Sequence, residues 1–360
     1  MGKFKAGTSF DDIVSDLKRD GVMIVHKGIP KYDRSRIIPF SSPRLNYMLY
    51  GGFLSGKMYE FCGEEGSGKT TTALDFVKNA QIKFKKEAKK GEKPKRIFWL
   101  DAENTLDLNW AEKIGVDVDA LEVGVLEQQY AELAFESVLN IIRTGEVGLV
   151  VIDSLAALLP LSVEDKRVGD KVYAGISQAM TRYTTELIPL LNKTGCTVLH
   201  VNQLRTNFNN IFDNAHTPGG KALAFFNSGK IKFSKGDFYD EKYAGLPKSA
   251  PTGYGMNVEI QIVKIKGSRW DRKRGFYSLT YDLGIDVIKD LIETGLQLDF
   301  ITKSGASYQF VDENGVIIED ENGKEIKLVG IKKVYDYLAK EKTICDEMYQ
   351  RIYDKCKREN

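Results

Sequence analysis

Gly63 to Thr70 read GEEGSGKT, eight residues whose types and spacing suit a polyphosphate. They match G-x-x-x-x-G-K-[ST] in full, directly after the apolar run KMYEFC and at the start of the helical pattern TTTALDFVKNAQ. The glycines permit a tight turn whose backbone N–H groups converge on phosphate oxygens, and the helix N-terminus adds partial positive charge. Gly63, Glu64, Glu65, Gly66, Ser67, Gly68, Lys69, Thr70 and the adjoining Thr71 are therefore expected to line a nucleoside-triphosphate site. Lys69 would hold the β- and γ-phosphates, and the Thr70 hydroxyl would ligate Mg²⁺. A chance match in a glycine-rich turn is the bland alternative, and a strand before with a helix after argues against it.

Magnesium in such a site needs a carboxylate. Asp153 closes the apolar run GLVVIDS, where an acidic side chain is costly unless it meets a cation. Its rival role is a helix N-cap. Glu103, in FWLDAENTLD, lies just past the predicted strand Arg96 to Asp101, at the edge where open parallel sheets bind ligands. It could orient or deprotonate an attacking water, but on spacing alone Asp101 and Asp107 compete for that role.

The elements that must position these groups alternate along the chain. Between about Arg36 and Tyr281 come the apolar runs KMYEFCG, RIFWLD, LEVGVL, GLVVID, TVLHVN, GKIKFS and NVEIQIVKIK, with amphipathic helical patterns between most of them. That pattern predicts an α/β fold with a mostly parallel sheet flanked by helices. The stretch EIQIVKIKGSRWDRKRGFYSLTYD predicts an antiparallel extension joined by a basic loop. Residues 1–35 read as a short helix capped by Ser9 and a linker, 36–283 as the core, and 284–360 as a small α+β C-terminal domain. The lysine-rich run Lys83 to Arg96 reads as a solvated helix end and loop.

Composition narrows the class. The 360 residues are 42% hydrophobic and 28% charged, with a net charge of +2, so nucleic-acid binding would rest on local patches rather than overall charge. Four cysteines in no metal-binding spacing fit reduced thiols in a cytoplasm. No signal core and no run of about 18 apolar residues occurs, which predicts no membrane association. One stretch is unusual. NQLRTNFNNIFDNAHTPGGKALAFF, from Asn202, places Phe208 and Phe212 in a polar loop after a core strand, where a partner is needed to cover the rings.

The blocks GEEGSGKT, LDAENTLDLNWAEKIGVDVDAL, LVVIDSLAALLP, GISQAMTRYTTEL, HVNQLR and TPGGKALAFF resemble, in order and spacing, those of RecA-type recombinases. The likeness runs from about Arg36 to Tyr281, continues more weakly to the C-terminus, and is nearer to bacterial RecA than to archaeal or eukaryotic recombinases. The divergence suggests a viral or mobile-element copy. The resemblance implies a RecA-like P-loop core, ATP and Mg²⁺ as cofactors, and a DNA-dependent ATPase that pairs and exchanges strands in recombination and repair. It implies self-association into a filament on single-stranded DNA, exchange with double-stranded DNA, and single-strand binding and loader proteins as further partners.

The resemblance also implies roles. Glu103 falls on the catalytic glutamate and Gln203 on the glutamine that senses the γ-phosphate. Trp110 falls on the aromatic that stacks on adenine, with Asp107 beside it at the nucleotide. Arg205, Asn207, Phe208, Asn209, Phe212, Gly219 and Gly220 fall in a loop that contacts single-stranded DNA. Base–aromatic stacking there is worth about 1–3 kcal/mol per base without sequence preference. SVEDKRVGDKVYAGIS corresponds to the other DNA loop, here shortened, with Tyr173 where the family often has an apolar residue, and Arg182 follows it. Lys264 and Lys266 match lysines that reach a neighbour's ATP, and their spacing sets both ammonium groups on one face of a strand. The N-terminal region matches poorly, and the chain ends DKCKREN without the acidic tail of bacterial RecA. A ring helicase with a RecA core shares the P-loop, but its assemblies are closed rings. A non-catalytic DNA-binding regulator would show no DNA-stimulated hydrolysis.

Overall fold

The computed structural model describes residues 36–163, 175–206, 215–216, 218–247, 253–267, 271–312, 314–319 and 323–356. Residues 37–360 make up one compact unit. The expected N-terminal helix lies outside the described residues.

Two short strands, β1 (Ile37–Ile38) and β2 (Phe53–Leu54), pair antiparallel around helix α1 (Pro43–Met48). The large sheet contains β3 (Met58–Gly63), β4 (Arg96–Asp101), β5 (Leu121–Val125), β6 (Val147–Asp153), β7 (Thr197–Gln203), β10 (Gly229–Tyr239), β12 (Gly255–Ile265), β13 (Arg274–Thr280) and β14 (Gly284–Ile285). Its order is β14-β13-β12-β10-β3-β7-β6-β4-β5, and a short β11 (Gly245–Leu246) pairs with β10. Pairing is parallel from β10 through β5 and antiparallel from β10 through β14. The mostly parallel sheet and its antiparallel extension are both as the sequence predicts. The tip of the β12–β13 connection, 268–270, lies outside the described residues.

The apolar runs are buried on both faces because helices cover both faces. Alternate residues of one strand enter different cores. Leu149 and Val151 of β6 pack with Leu74, Phe76 and Val77 of α2 (Lys69–Glu87). Val150 and Ile152 pack with Phe135 and Val138 of α4 (Ala131–Arg143) and Tyr183 and Leu187 of α5 (Gly175–Thr194). Burying each such aliphatic or aromatic side chain stabilises by about 1.5–3 kcal/mol. LEVGVL departs from expectation. As β5 it is the edge strand among the described residues, with Val123 36% and Val125 60% exposed.

The C-terminal part holds helix α7 (Val287–Gln297), an antiparallel sheet of β15 (Ile301–Ser304), β16 (Ser307–Phe310) and β17 (Lys327–Val329), and helices α8 (Ile331–Lys340) and α9 (Lys342–Lys355). They enclose a separate core around Phe310, Leu338 and Ile352. Ser42 Oγ donates to Asp290 on α7, and Arg44 Nη2 donates to Glu293 O at 2.9 Å, tying this part to α1. The four cysteines are free thiols.

Candidate active site

The loop from Gly63 to Gly68 leaves the centre of the sheet at the C-terminal end of β3 and enters α2. Gly66 (φ +67°) and Gly68 (φ +90°) take the left-handed backbone that turns N–H groups inward. A Cβ on Gly66 would stand 3.1 Å from the ammonium of Lys235 on β10, the movable end of a long side chain, so the positive φ is what favours glycine there. Ser67 Oγ donates to Glu64 O at 2.7 Å and closes the loop on itself. Lys69 is 7% exposed, and its Nζ donates to the carbonyls of Gly63 (3.1 Å) and Glu64 (2.6 Å) inside the turn. Burial lowers its pKa, opposed by the carboxylates of Asp153 and Glu103.

Asp153 closes β6, the second strand from β3. Its Oδ2 accepts from Thr70 Oγ1 at 2.8 Å, so the two expected magnesium ligands already stand side by side. The Asp153 carboxyl is pushed up to about 7, first by burial and further by Glu103, against the hydrogen bond from Thr70. Two hard oxygens, one on a buried carboxyl that a cation would discharge, fit Mg²⁺. The folded state binds this proton more tightly than the unfolded chain, so stability present at low pH is lost as pH rises from about 4 through about 7. In metal-free protein the melting temperature should therefore fall over that window, and Asp153→Asn should flatten the fall. Equal slopes for both proteins in a thermal-melt series would overturn this.

Glu103 is hydrogen-bonded across the strand ends. Its Oε1 accepts from Gln203 Nε2 at 2.8 Å and from Ser154 Oγ, which joins the ends of β4, β6 and β7. The two rivals are engaged in local backbone structure. Asp101 is buried and accepts from Leu106 N at 2.8 Å. Asp107, expected at the nucleotide, is the N-cap of α3 (Leu108–Ile114), accepting from the amides of Asn109 (2.9 Å) and Trp110 (3.2 Å). Trp110 and Thr71, with Gly66, Gly68, Lys69 and Thr70, line a cavity of about 350 Å³. Its remaining wall is Met256, Leu279 and Tyr281, which sequence reasoning missed. The signal was the antiparallel extension itself, which folds β12 and β13 back beside α2.

Lys264 and Lys266 are elsewhere. Lys264 pairs with Lys230, which pairs with Glu60, so Lys264 lies three residues back from Gly63 along the sheet, about 10 Å, and Lys266 lies beyond it. Lys264 Nζ donates to the carbonyls of Ala224 (2.7 Å) and Phe225 (2.8 Å), and Lys266 Nζ to those of Phe225 and Phe226 (3.3 Å each). Both therefore grip the last turn of helix α6 (Gly220–Phe226), away from this chain's own phosphate loop.

At the expected DNA loop, β8 (Arg205–Thr206) pairs antiparallel with β9 (Ala215–His216), so the segment leaves and returns as a two-stranded ribbon. Asn207, Phe208, Asn209, Phe212 and, in the other loop, Tyr173 lie outside the described residues, as does the side chain of Arg205. Arg182 is exposed on α5 and ion-paired with Glu186 at 3.2 Å. Gly219 (φ +107°) caps α6, and Gly220 (φ +67°) begins it. A Cβ on Gly220 would stand 2.9 Å from Ser177 Oγ of α5. Gly220→Ala should cost at least about 1–2 kcal/mol, the left-handed penalty alone, and urea denaturation reads it directly. An unchanged midpoint would show that the backbone at Gly220 can leave the left-handed region without cost.

Residues 12–286 match the RecA N-terminal domain family. The chain belongs to the RecA family. It is 34% identical to the RecA protein of Mycobacterium ulcerans over 279 residues, 77% of this chain and 75% of the relative. It is 31% identical to that of Aquifex aeolicus over 303 residues, 84% and 78%, and 30% identical to that of Nocardia farcinica over 321 residues, 89% and 83%. Membership makes the chain an ATP-dependent recombinase of DNA recombination and repair, with DNA-dependent ATPase activity. A RecA-core ring helicase is not favoured. Among the described residues no helix is long and apolar enough to cross a membrane.

Proposed function

We propose that this RecA-family chain hydrolyses ATP at a site completed by a neighbouring copy, and that ATP drives its assembly into a filament on single-stranded DNA. The filament pairs that strand with homologous double-stranded DNA and exchanges strands. The observation that carries the reading is the 2.8 Å hydrogen bond from Gln203 to Glu103. Gln203 ends β7 and opens the segment read as the DNA loop, so the loop's first residue touches the candidate base.

The proposed roles draw on the described contacts and on the family resemblance. Backbone amides of Glu65 to Gly68 and the Lys69 ammonium cradle the phosphates, and Trp110 and Tyr281 flank the base. Thr70 and Asp153 would hold Mg²⁺, which when bound offsets the phosphate charge. Glu103 orients a water and takes its proton, while Gln203 and Ser154 hold the carboxylate in place. Phe208 and Phe212 supply base stacking, and Gly219 and Gly220 supply backbone amides to DNA phosphates. Lys264 and Lys266 exchange the α6 carbonyls for the phosphates of the next protomer's nucleotide.

ATP turnover with and without single-stranded DNA tests the activity. No stimulation by DNA would count against the proposal. Lys264→Ala with Lys266→Ala should leave the fold intact and remove DNA-stimulated turnover. Mixed with a Glu103→Gln chain, it should regain activity, because one partner supplies the base and the other the lysines. No recovery at any ratio, with co-assembly verified by pull-down, would exclude the trans role.

A further inference from the structure

Glu60 lies in the middle of β3 with a fully buried carboxylate, the one charged side chain of that strand. An ion there costs several kcal/mol unless it is paired and hydrogen-bonded. The surroundings meet that demand from three directions. Lys230 Nζ of β10 donates to Oε1 at 3.1 Å, Asn202 Nδ2 of β7 donates to the same oxygen at 3.1 Å, and Asn227 Nδ2 donates to Oε2 at 2.9 Å. Both asparagines are fully buried.

What these partners join is specific. Asn202 immediately precedes Gln203, and its Oδ1 accepts from the Gln203 amide at 3.1 Å. The Asn202 Nδ2 that meets Glu60 also donates to Pro218 O at 2.8 Å, at the far end of the same loop segment. Asn227 is the C-cap of α6, the helix whose last carbonyls Lys264 and Lys266 hold. The two ends of the segment 203–218, the end of α6 and the strand that leads into the phosphate loop are thus tied to one carboxylate. The loop's return at Pro218 cannot move far without moving Asn202, and Asn202 holds the backbone of the residue that reaches Glu103.

We infer that Glu60 is a positioning residue for DNA-stimulated hydrolysis, transmitting the state of the loop to Gln203 through Asn202. The inference rests on the proposed reading of that segment as a DNA loop. It requires neither phosphate nor DNA to touch Glu60. A merely structural carboxylate would, when altered, lower stability and all activities together. A positioning one changes the ratio of DNA-stimulated to basal turnover while nucleotide affinity stays in place.

Two variants test it in the full-length chain with ATP and an oligonucleotide of single-stranded DNA. Glu60→Gln keeps the volume and removes the charge. Asn202→Ala leaves Glu60 paired with Lys230 and Asn227 and cuts the Asn202 links to Glu60, to Pro218 and to the Gln203 amide. Each should keep the Kd for ATP and the basal kcat close to those of the parent chain. Each should lower the DNA stimulation ratio by about 10-fold, within the range of ordinary coupling energies. The double variant should be no worse than the more affected single one, since both changes cut one connection. Should Glu60→Gln fail to fold, Asn202→Ala alone decides. Unchanged stimulation ratios in folded variants would overturn the inference. Absent DNA stimulation in the parent chain would instead overturn the proposed function beneath it.

Discussion

Glu103→Gln is expected to lower kcat by about 10²- to 10⁴-fold, the usual contribution of a positioned general base, while ATP still binds. The phosphate cradle explains the split. Lys69 and Thr70 hydrogen-bond to Gly63, Glu64 and Asp153, whereas Gln203 and Ser154 both converge on Glu103 Oε1. A glutamine there can still meet one of the two donors, so the loop should stay near its present geometry. Single-turnover hydrolysis beside a nucleotide-binding titration reads both quantities. Near-normal turnover in this variant would assign the base elsewhere, and Asp101 and Asp107 would first have to give up their backbone hydrogen bonds.

Lys69→Met should be the other severe variant. Its ammonium lies within the turn, 2.6 Å and 3.1 Å from two carbonyl oxygens. Binding trades those carbonyls for phosphate, and methionine fills the volume without the charge. Losing one preorganised cation that faces developing phosphate charge is expected to reduce hydrolysis by at least about 10²–10³-fold. ATP affinity should fall as well, unlike in Glu103→Gln. The melting temperature should hardly change, because a buried ammonium is replaced by an apolar group of similar length. A binding curve equal to the parent's would remove Lys69 from the cradle.

Much of the site was legible in the sequence because its parts are local. A strand, a glycine-rich turn and a helix occupy neighbouring residues, so Gly63 to Thr70 could be read without knowing the sheet order. Asp153 was legible for a related reason, an acid at the end of an apolar strand. The choice of Glu103 over Asp101 and Asp107 was not settled by spacing. It depends on β7 lying two strands from β4, which brings Gln203 to a residue 100 positions earlier. Tyr281, Met256 and Leu279 went unseen for the same reason. Met256 and Leu279 are ordinary apolar strand residues, and Tyr281 an aromatic just past β13, until the antiparallel extension brings them beside α2. The exposed β5 shows the reverse error, since an apolar run does not announce whether its strand is central or at an edge.

The separation of the lysine pair from the phosphate loop along the sheet has an arithmetic consequence. In the proposed filament, where one protomer supplies the phosphate loop and its neighbour the lysines, a row of n protomers holds n − 1 complete centres, and a lone protomer holds none. Turnover per chain then climbs steeply over the first few additions and levels off in long rows. At low protein concentration the specific activity should depend on concentration, with a lag that a short preformed row removes. The two tips of a row differ as well. One exposes a nucleotide lacking its lysines, the other lysines lacking a nucleotide, so growth and loss at the two tips run at unequal rates. An open head-to-tail contact of this kind makes the polymer directional before any DNA strand imposes its own polarity.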